Sequence, residues 1–266
     1  MEFLALPMGL LVGLSLGGLG AGGSILIVPM LVYVLNLEPK AAITASLIVV
    51  GLVSLGGMVA HLRSGRVRVG TGITFGLTGI LGSLGGSYLN RAVDSNILLL
   101  AFAGLMVVAA WAMVRPHERE PSVMTSAHAA GGETGVLAAA RVQPALAAKV
   151  AVAGTAVGFI TGFFGIGGGF VIVPALRLVL GLTMQEAVGT SLLVIVINAA
   201  IALGPRLSGE TPPWEVIVLF TVAGLVGAVV GSRIAGKVRS ELLTRSFAGL
   251  IVMIAIYTVV RSIIGL

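Results

Sequence analysis

Residues 158–174, GFITGFFGIGGGFVIVP, return in altered form at residues 13–29, GLSLGGLGAGGSILIVP. A shift of 145 positions superposes Gly13 on Gly158, Gly17 on Gly162, Gly20 on Gly165, Gly22 and Gly23 on Gly167 and Gly168, and Pro29 on Pro174. One glycine-broken apolar stretch therefore occurs twice.

The same shift holds without a gap from Gly13–Val114 to Gly158–Val259. It matches Ala42 with Ala187, Ser46 with Ser191, Phe75 with Phe220, Gly79 and Gly82 with Gly224 and Gly227, and Gly86-Ser87 with Gly231-Ser232. Two homologous halves follow, since chance glycine spacing would not carry the other residues along. Three parts are expected: a first repeat over residues 1–114, a polar linker over 115–149 with Pro116, Pro121 and Gly131-Gly132, and a second repeat over 150–266.

The chain has 266 residues, 57% of them hydrophobic and 10% charged, with a mean hydropathy of +1.12. No soluble domain carries that much apolar surface, and uncharged runs of roughly 20 residues span hydrocarbon as helices. The predicted class is an all-α polytopic membrane protein. Cysteine is absent, which excludes disulfide frameworks, thiolate chemistry and cysteine-ligated metal. A net charge of +6 could suggest nucleic acid, but the basic residues cluster at the ends of apolar runs, the pattern of membrane topology. Cleavage of residues 1–23 as a signal peptide is disfavoured, because Glu2 replaces a basic n-region and the same segment recurs internally.

Each half offers four apolar segments: a broken one (4–36; 147–181), then 41–60 and 187–204, 69–89 and 214–232, 96–114 and 242–260. The third segment carries a ridge of small residues, Gly72, Gly76, Gly79, Gly82 and Gly86 against Gly224, Gly227 and Gly231, read as a helix-packing row. Charge decides how often the broken segment crosses. If it crosses once, the sixteen Lys and Arg divide nine against seven. If it enters and leaves on one side as a hairpin, twelve share a side and only Lys40, Arg91, Arg206 and Arg261 lie opposite. The positive-inside rule prefers the second arrangement.

Each half then makes an odd number of passes, so the halves are expected to be inverted repeats, each a short-helix hairpin with a glycine tip plus three transmembrane helices. The expected location is the inner membrane, with a cytoplasmic linker and both termini outside. Arms of 4–19 and 24–36, and of 147–164 and 169–181, place both tips near the membrane centre.

A helix beginning at such a tip presents unpaired N–H groups and the positive end of its dipole, which favour an anion. Gly20, Gly22, Gly23 and Ser24, with Gly165, Gly167, Gly168 and Gly169, would let an anion approach the backbone closely. Pro29 and Pro174 place the return helix's start shortly before them. Close helix crossing is the competing reading of the glycines, but it does not require a proline at the same distance in both halves. A phosphate loop is excluded, since no Lys-Ser/Thr follows the glycines.

Segment two supplies Ser46, Ser54, Thr190, Ser191 and Asn198 as candidate substrate-binding groups. Hydroxyls in membrane helices commonly bond their own backbone, so Asn198 is the better candidate. Ser54 and Asn198 are expected at the depth of the tips. No Asp or Glu lies within an uncharged run, so no carboxylate relay, metal site or catalytic centre is evident. His61 reads as an interfacial residue and Arg177 as one that snorkels to the surface.

The motif GFFGIGGGFVIVPAL, its copy GGLGAGGSILIVPML, the Thr-Ser or Ala-Ser opening of segment two, and the two-half layout resemble the TauE/SafE family of sulfite and organosulfonate exporters. Ser24 departs from the three consecutive glycines of the second copy. The resemblance implies export of a small sulfur-containing anion such as sulfite or sulfoacetate by alternating access, without a cofactor. An anion channel of the same architecture, or an importer of a related anion such as sulfate or thiosulfate, is the alternative. Partners implied are that anion, the lipid bilayer and a second copy in a homodimer, with no nucleic acid. An intramembrane enzyme is disfavoured for want of a placed nucleophile, base or metal ligand.

Overall fold

A computed structural model describes residues 5–20, 24–90, 95–114, 144–164, 169–203 and 213–264. They form ten helices: α1 Ala5–Leu19, α2 Ser24–Tyr33, α3 Pro39–Arg63, α4 Val69–Asn90, α5 Ser95–Val114, α6 Pro144–Phe164, α7 Gly169–Leu178, α8 Met184–Leu203, α9 Trp214–Lys237 and α10 Ser240–Ile264. The chain is an α-helical polytopic membrane protein. Helices α3, α4, α8 and α9 are long and apolar enough to cross a membrane. Helix α1 ends at Leu19 and α2 begins at Ser24, and α6 ends at Phe164 and α7 begins at Gly169, so each pair of helices flanks its glycine-rich stretch. The return helices α2 and α7 are each three residues shorter than their expected arms, and α6 begins at Pro144, inside the stretch assigned to the linker. Pro29 and Pro174 each stand five residues after the start of the return helix. There the absent N–H costs only one bond to the first turn.

The halves pack by exchange. The first arm of one half, α1, lies along α9 of the other, and α6 lies along α4. A Cβ on Gly9, Gly13 or Gly17 would run into the backbone of Phe220, Gly224 or Ala228, and one on Gly154, Gly158 or Gly162 into that of Phe75, Gly79 or Ser83. Every one of these pairs maps onto its counterpart by the 145-residue shift. Gly82 and Gly86 of α4 in turn meet the backbone of α6, as Gly227 and Gly231 of α9 meet that of α1. Glycine on both sides lets the helix axes approach closely, which in lipid replaces the missing hydrophobic drive for association.

The same contacts give directions. Residues of α1 and α9 pair in ascending order, and Gly224 against Val53 with Ala228 against Gly57 makes α9 parallel to α3. Helices α1 and α3 therefore run the same way, and α2 between them must run back. Between α3 and α8 the order reverses: Gly51 meets Ala199 and Gly57 meets Leu192. These two corresponding helices are antiparallel. In the second half, α6 and α7 line one apolar cavity of about 590 Å³, with Ala148, Val152 and Ile160 from α6 and Val171, Pro174 and Leu178 from α7.

One polar clasp joins the halves outside the glycine rows. The N-terminus of α8 carries a capping box, in which the Glu186 N–H donates to Thr183 Oγ1 (3.3 Å) and Thr183 N–H donates to Glu186 Oε2 (3.1 Å). Arg68, in the turn between α3 and α4, donates to Glu186 Oε1 from Nη2 at 2.6 Å and from Nε at 3.0 Å. Its backbone N–H donates to Thr190 Oγ1 at 3.1 Å.

Candidate functional site

The last turn of α1 lies where both halves meet. Gly20 has φ of +80°, the left-handed region that glycine enters without strain. A Cβ there would lie 2.6 Å from Ser191 Oγ and 3.3 Å from Val188 Cα on α8, and 3.1 Å from Val173 on α7. One tip of the first half thus abuts the second half's α8 and its return helix. Helices α2 and α7 touch each other as well.

From α3, Ser54, Gly57 and His61 share one face by helical spacing. Gly57 lies against Gly17, and His61 Nε2 lies 2.9 Å from Gly17 O. The carbonyl can only accept, so Nε2–H donates to it. That satisfies one of the carbonyls that the end of α1 leaves without a helical partner. His61, in the last turn of α3, is fully buried against the end of α1. Arg177, half-buried near the end of α7, donates from Nη1 to Thr244 Oγ1 in the first turns of α10.

The expected substrate-binding residues divide as follows. Ser46 donates to Ile43 O (2.7 Å) and Ser191 to Val188 O (2.8 Å), each bonding its own helix. Thr190 is taken up by Arg68, and so serves the turn between α3 and α4. Ser54 Oγ is buried with no partner among the described residues, as is His61 Nδ1. Asn198 is half-buried and makes no hydrogen bond among the described residues. Ser24 and Gly169 begin the return helices α2 and α7. Gly22, Gly23, Gly165, Gly167 and Gly168 lie outside the described residues.

Depth differs from expectation. Gly20 sits beside Val188 and Ser191, the second turn of α8, whereas Asn198 lies seven residues, about 10 Å, further along. Sequence reading missed His61 as a partner of the tip. The spacing Ser54, Gly57, His61 on one face was the available signal.

Among the described residues no group of three or more His, Asp or Glu is arranged to hold a metal ion.

Comparison with known proteins agrees with this architecture. The profile of the family described as "Sulfite exporter TauE/SafE" matches residues 5–258. A probable membrane transporter protein of Xylella fastidiosa (strain 9a5c) is 33% identical over 255 residues, covering 95% of this chain and 92% of that protein. The probable membrane transporter protein YunE of Bacillus subtilis is 26% identical over 258 residues, 92% of each chain. A probable membrane transporter protein of Methanocaldococcus jannaschii is 27% identical over 227 residues, 79% of this chain and 76% of that one. No solved structure matches the chain. Its glycine-broken repeats and a family match over nearly its whole length make this chain a membrane transporter of the TauE/SafE family.

Proposed function

We propose that the protein exports a small sulfur-containing oxyanion, such as sulfite or sulfoacetate, across the inner membrane, and that its halves are inverted repeats. The linker is cytoplasmic and both termini face outward. The observation that carries the reading is the junction at Gly20, where the broken helix of one half meets Ser191 and Val173 of the other. The opposite directions of α3 and α8, and the descent of α2 between the parallel α1 and α3, support inversion. The family's printed description names sulfite export, which supports the substrate class.

In this reading the anion contacts the N–H groups that open α2 and α7, around Gly20, Gly22, Gly23 and Ser24 and around Gly165, Gly167, Gly168 and Gly169. Ser54 and Asn198 have polar groups free of protein partners among the described residues, and they complete its coordination as it passes. Each helix end contributes about 0.3–2 kcal/mol and each hydrogen bond to charge about 1.5–3 kcal/mol, against the cost of dehydrating the ion. A weak, releasable site results, as a carrier requires. An inside-negative potential drives a monovalent anion outward at about 2.3 kcal/mol per 100 mV, so no coupling ion is needed.

Purified protein in liposomes should carry sulfite or sulfoacetate down an imposed potential, with sulfate, thiosulfate and taurine as comparison solutes. Asn198→Ala should lower that flux severalfold while the protein still folds. Absence of flux for every sulfur oxyanion above empty liposomes would refute the assignment.

A further inference from the structure

The ends of α3 and α9 enclose a second, separate cavity of about 470 Å³. Arg63 comes from the last turn of α3, Arg66 from the turn that follows, and Arg233 and Lys237 from the last turns of α9. No carboxylate lines it, and none of the four forms an ion pair among the described residues, where Arg68–Glu186 is the pair found. Arg66 is held in place: its guanidinium lies over Gly236, whose missing side chain makes the space, with Nη2 directed at Gly236 O at 3.5 Å.

Basic residues at helix ends ordinarily fix membrane orientation, and that task asks only for charge near the interface. It does not ask for four cations from three elements to face one hollow, where they repel one another. The carbonyl ends of α3 and α9 also point here and together contribute about one negative charge equivalent. Ser64, Gly65 and Arg66 N–H groups already occupy carbonyls at the end of α3, and Val238 N–H one at the end of α9. Four positive charges against about one leaves the hollow strongly electropositive.

Its position relates it to the junction described above. On α3, Gly56 and Ala60 face the cavity, while their neighbours Gly57 and His61 face Gly17. On α9, Val229 and Ser232 face the cavity, while Ala228 and Gly231 face the end of α1. The same two helices, α3 and α9, line both.

We infer that this cavity is a loading site for an oxyanion at the face shared with the tip of α1, taking a sulfite-, sulfonate- or phosphate-like group before it enters the junction. The inference rests on the anion-transport reading and deepens it. It places a capture step, governed by long-range charge, ahead of a junction that selects by backbone geometry.

The test uses the full chain in neutral phosphatidylcholine nanodiscs and liposomes, with the double variant Arg233→Gln, Lys237→Gln. Both side chains are exposed, so the fold should survive. Sulfite and inorganic phosphate binding, read by calorimetry, should weaken about tenfold in the variant. In the wild type it should also weaken as salt rises from about 0.1 M to about 1 M, where the screening length falls from about 10 Å to about 3 Å. The KM for flux starting from the linker side should rise by a similar factor with kcat nearly unchanged. Unchanged binding and KM in the variant would overturn the loading site while leaving the transport reading intact. A difference that emerges only when phosphatidylglycerol is present would also overturn it, assigning the cations to lipid headgroups. Binding lost in the variant, from a wild type that carries no sulfur oxyanion, would keep the site and sink the transport reading.

Discussion

At the residue scale the 39 glycines are not equivalent. A Cβ on Gly13 would collide with the backbone of Gly224, whereas Gly104 and its counterpart Gly249 have nothing within 4 Å. Backbone cannot step aside as a side chain can, so Gly13→Ala and Gly158→Ala should destabilise by about 1–3 kcal/mol or more through forced separation of the helices. Gly104→Ala and Gly249→Ala should be neutral or stabilise by up to about 1 kcal/mol, since alanine is the better helix former. Thermal unfolding in detergent checks this, and equal effects at all four sites would contradict the packing described. The glycine ridge of segment three was readable as a packing row, because small residues recurred at helical spacing. Which helix it served was not readable, because a row of glycines complements any other such row. The burial of His61 was not readable for a related reason: its partner is the carbonyl of Gly17, forty-four residues earlier.

At the scale of elements, the sequence located the breaks, the long segments and the duplicated pattern, since each is written in local hydropathy and glycine placement. It overestimated the return helices because the apolar run continues past Tyr33 and Leu178 into turns that residues such as Gly181, at φ of +70°, allow. Depth was harder still, because rise per residue gives the length of an arm but not the level at which it starts. The antiparallel crossing of α3 and α8 can be tested by cross-linking in a chain that has no native cysteine. A Cβ on Gly51 would lie 3.4 Å from that of Ala199, close to the separation a disulfide spans. Gly51→Cys with Ala199→Cys should therefore cross-link on oxidation. Gly51→Cys with Leu192→Cys should not, since seven residues along α8 displace the second site by about 10 Å. The reverse pattern would contradict the Gly51–Ala199 contact on which the antiparallel register rests.

At the scale of the whole molecule, the exchange of first arms means that the two sequence repeats are not two folding units. Residues 1–114 alone would leave α1 without α9 and the glycine face of α4 without α6. Separately produced halves should each be degraded or aggregate, and the two produced together should co-purify as one assembly. A stable, monomeric first half would show that the exchanged contacts are dispensable. The interlock also sets a timetable for biosynthesis. Gly9 leaves the ribosome 211 residues before Phe220, against whose backbone it finally packs. At about 5–20 residues per second that is a delay of roughly 10–40 s. Throughout it, α1 lies in the bilayer with its row of bare backbone uncovered. The earliest helix to be made is thus among the last to reach its place, and assembly of the junction at Gly20 cannot precede the near-completion of the chain.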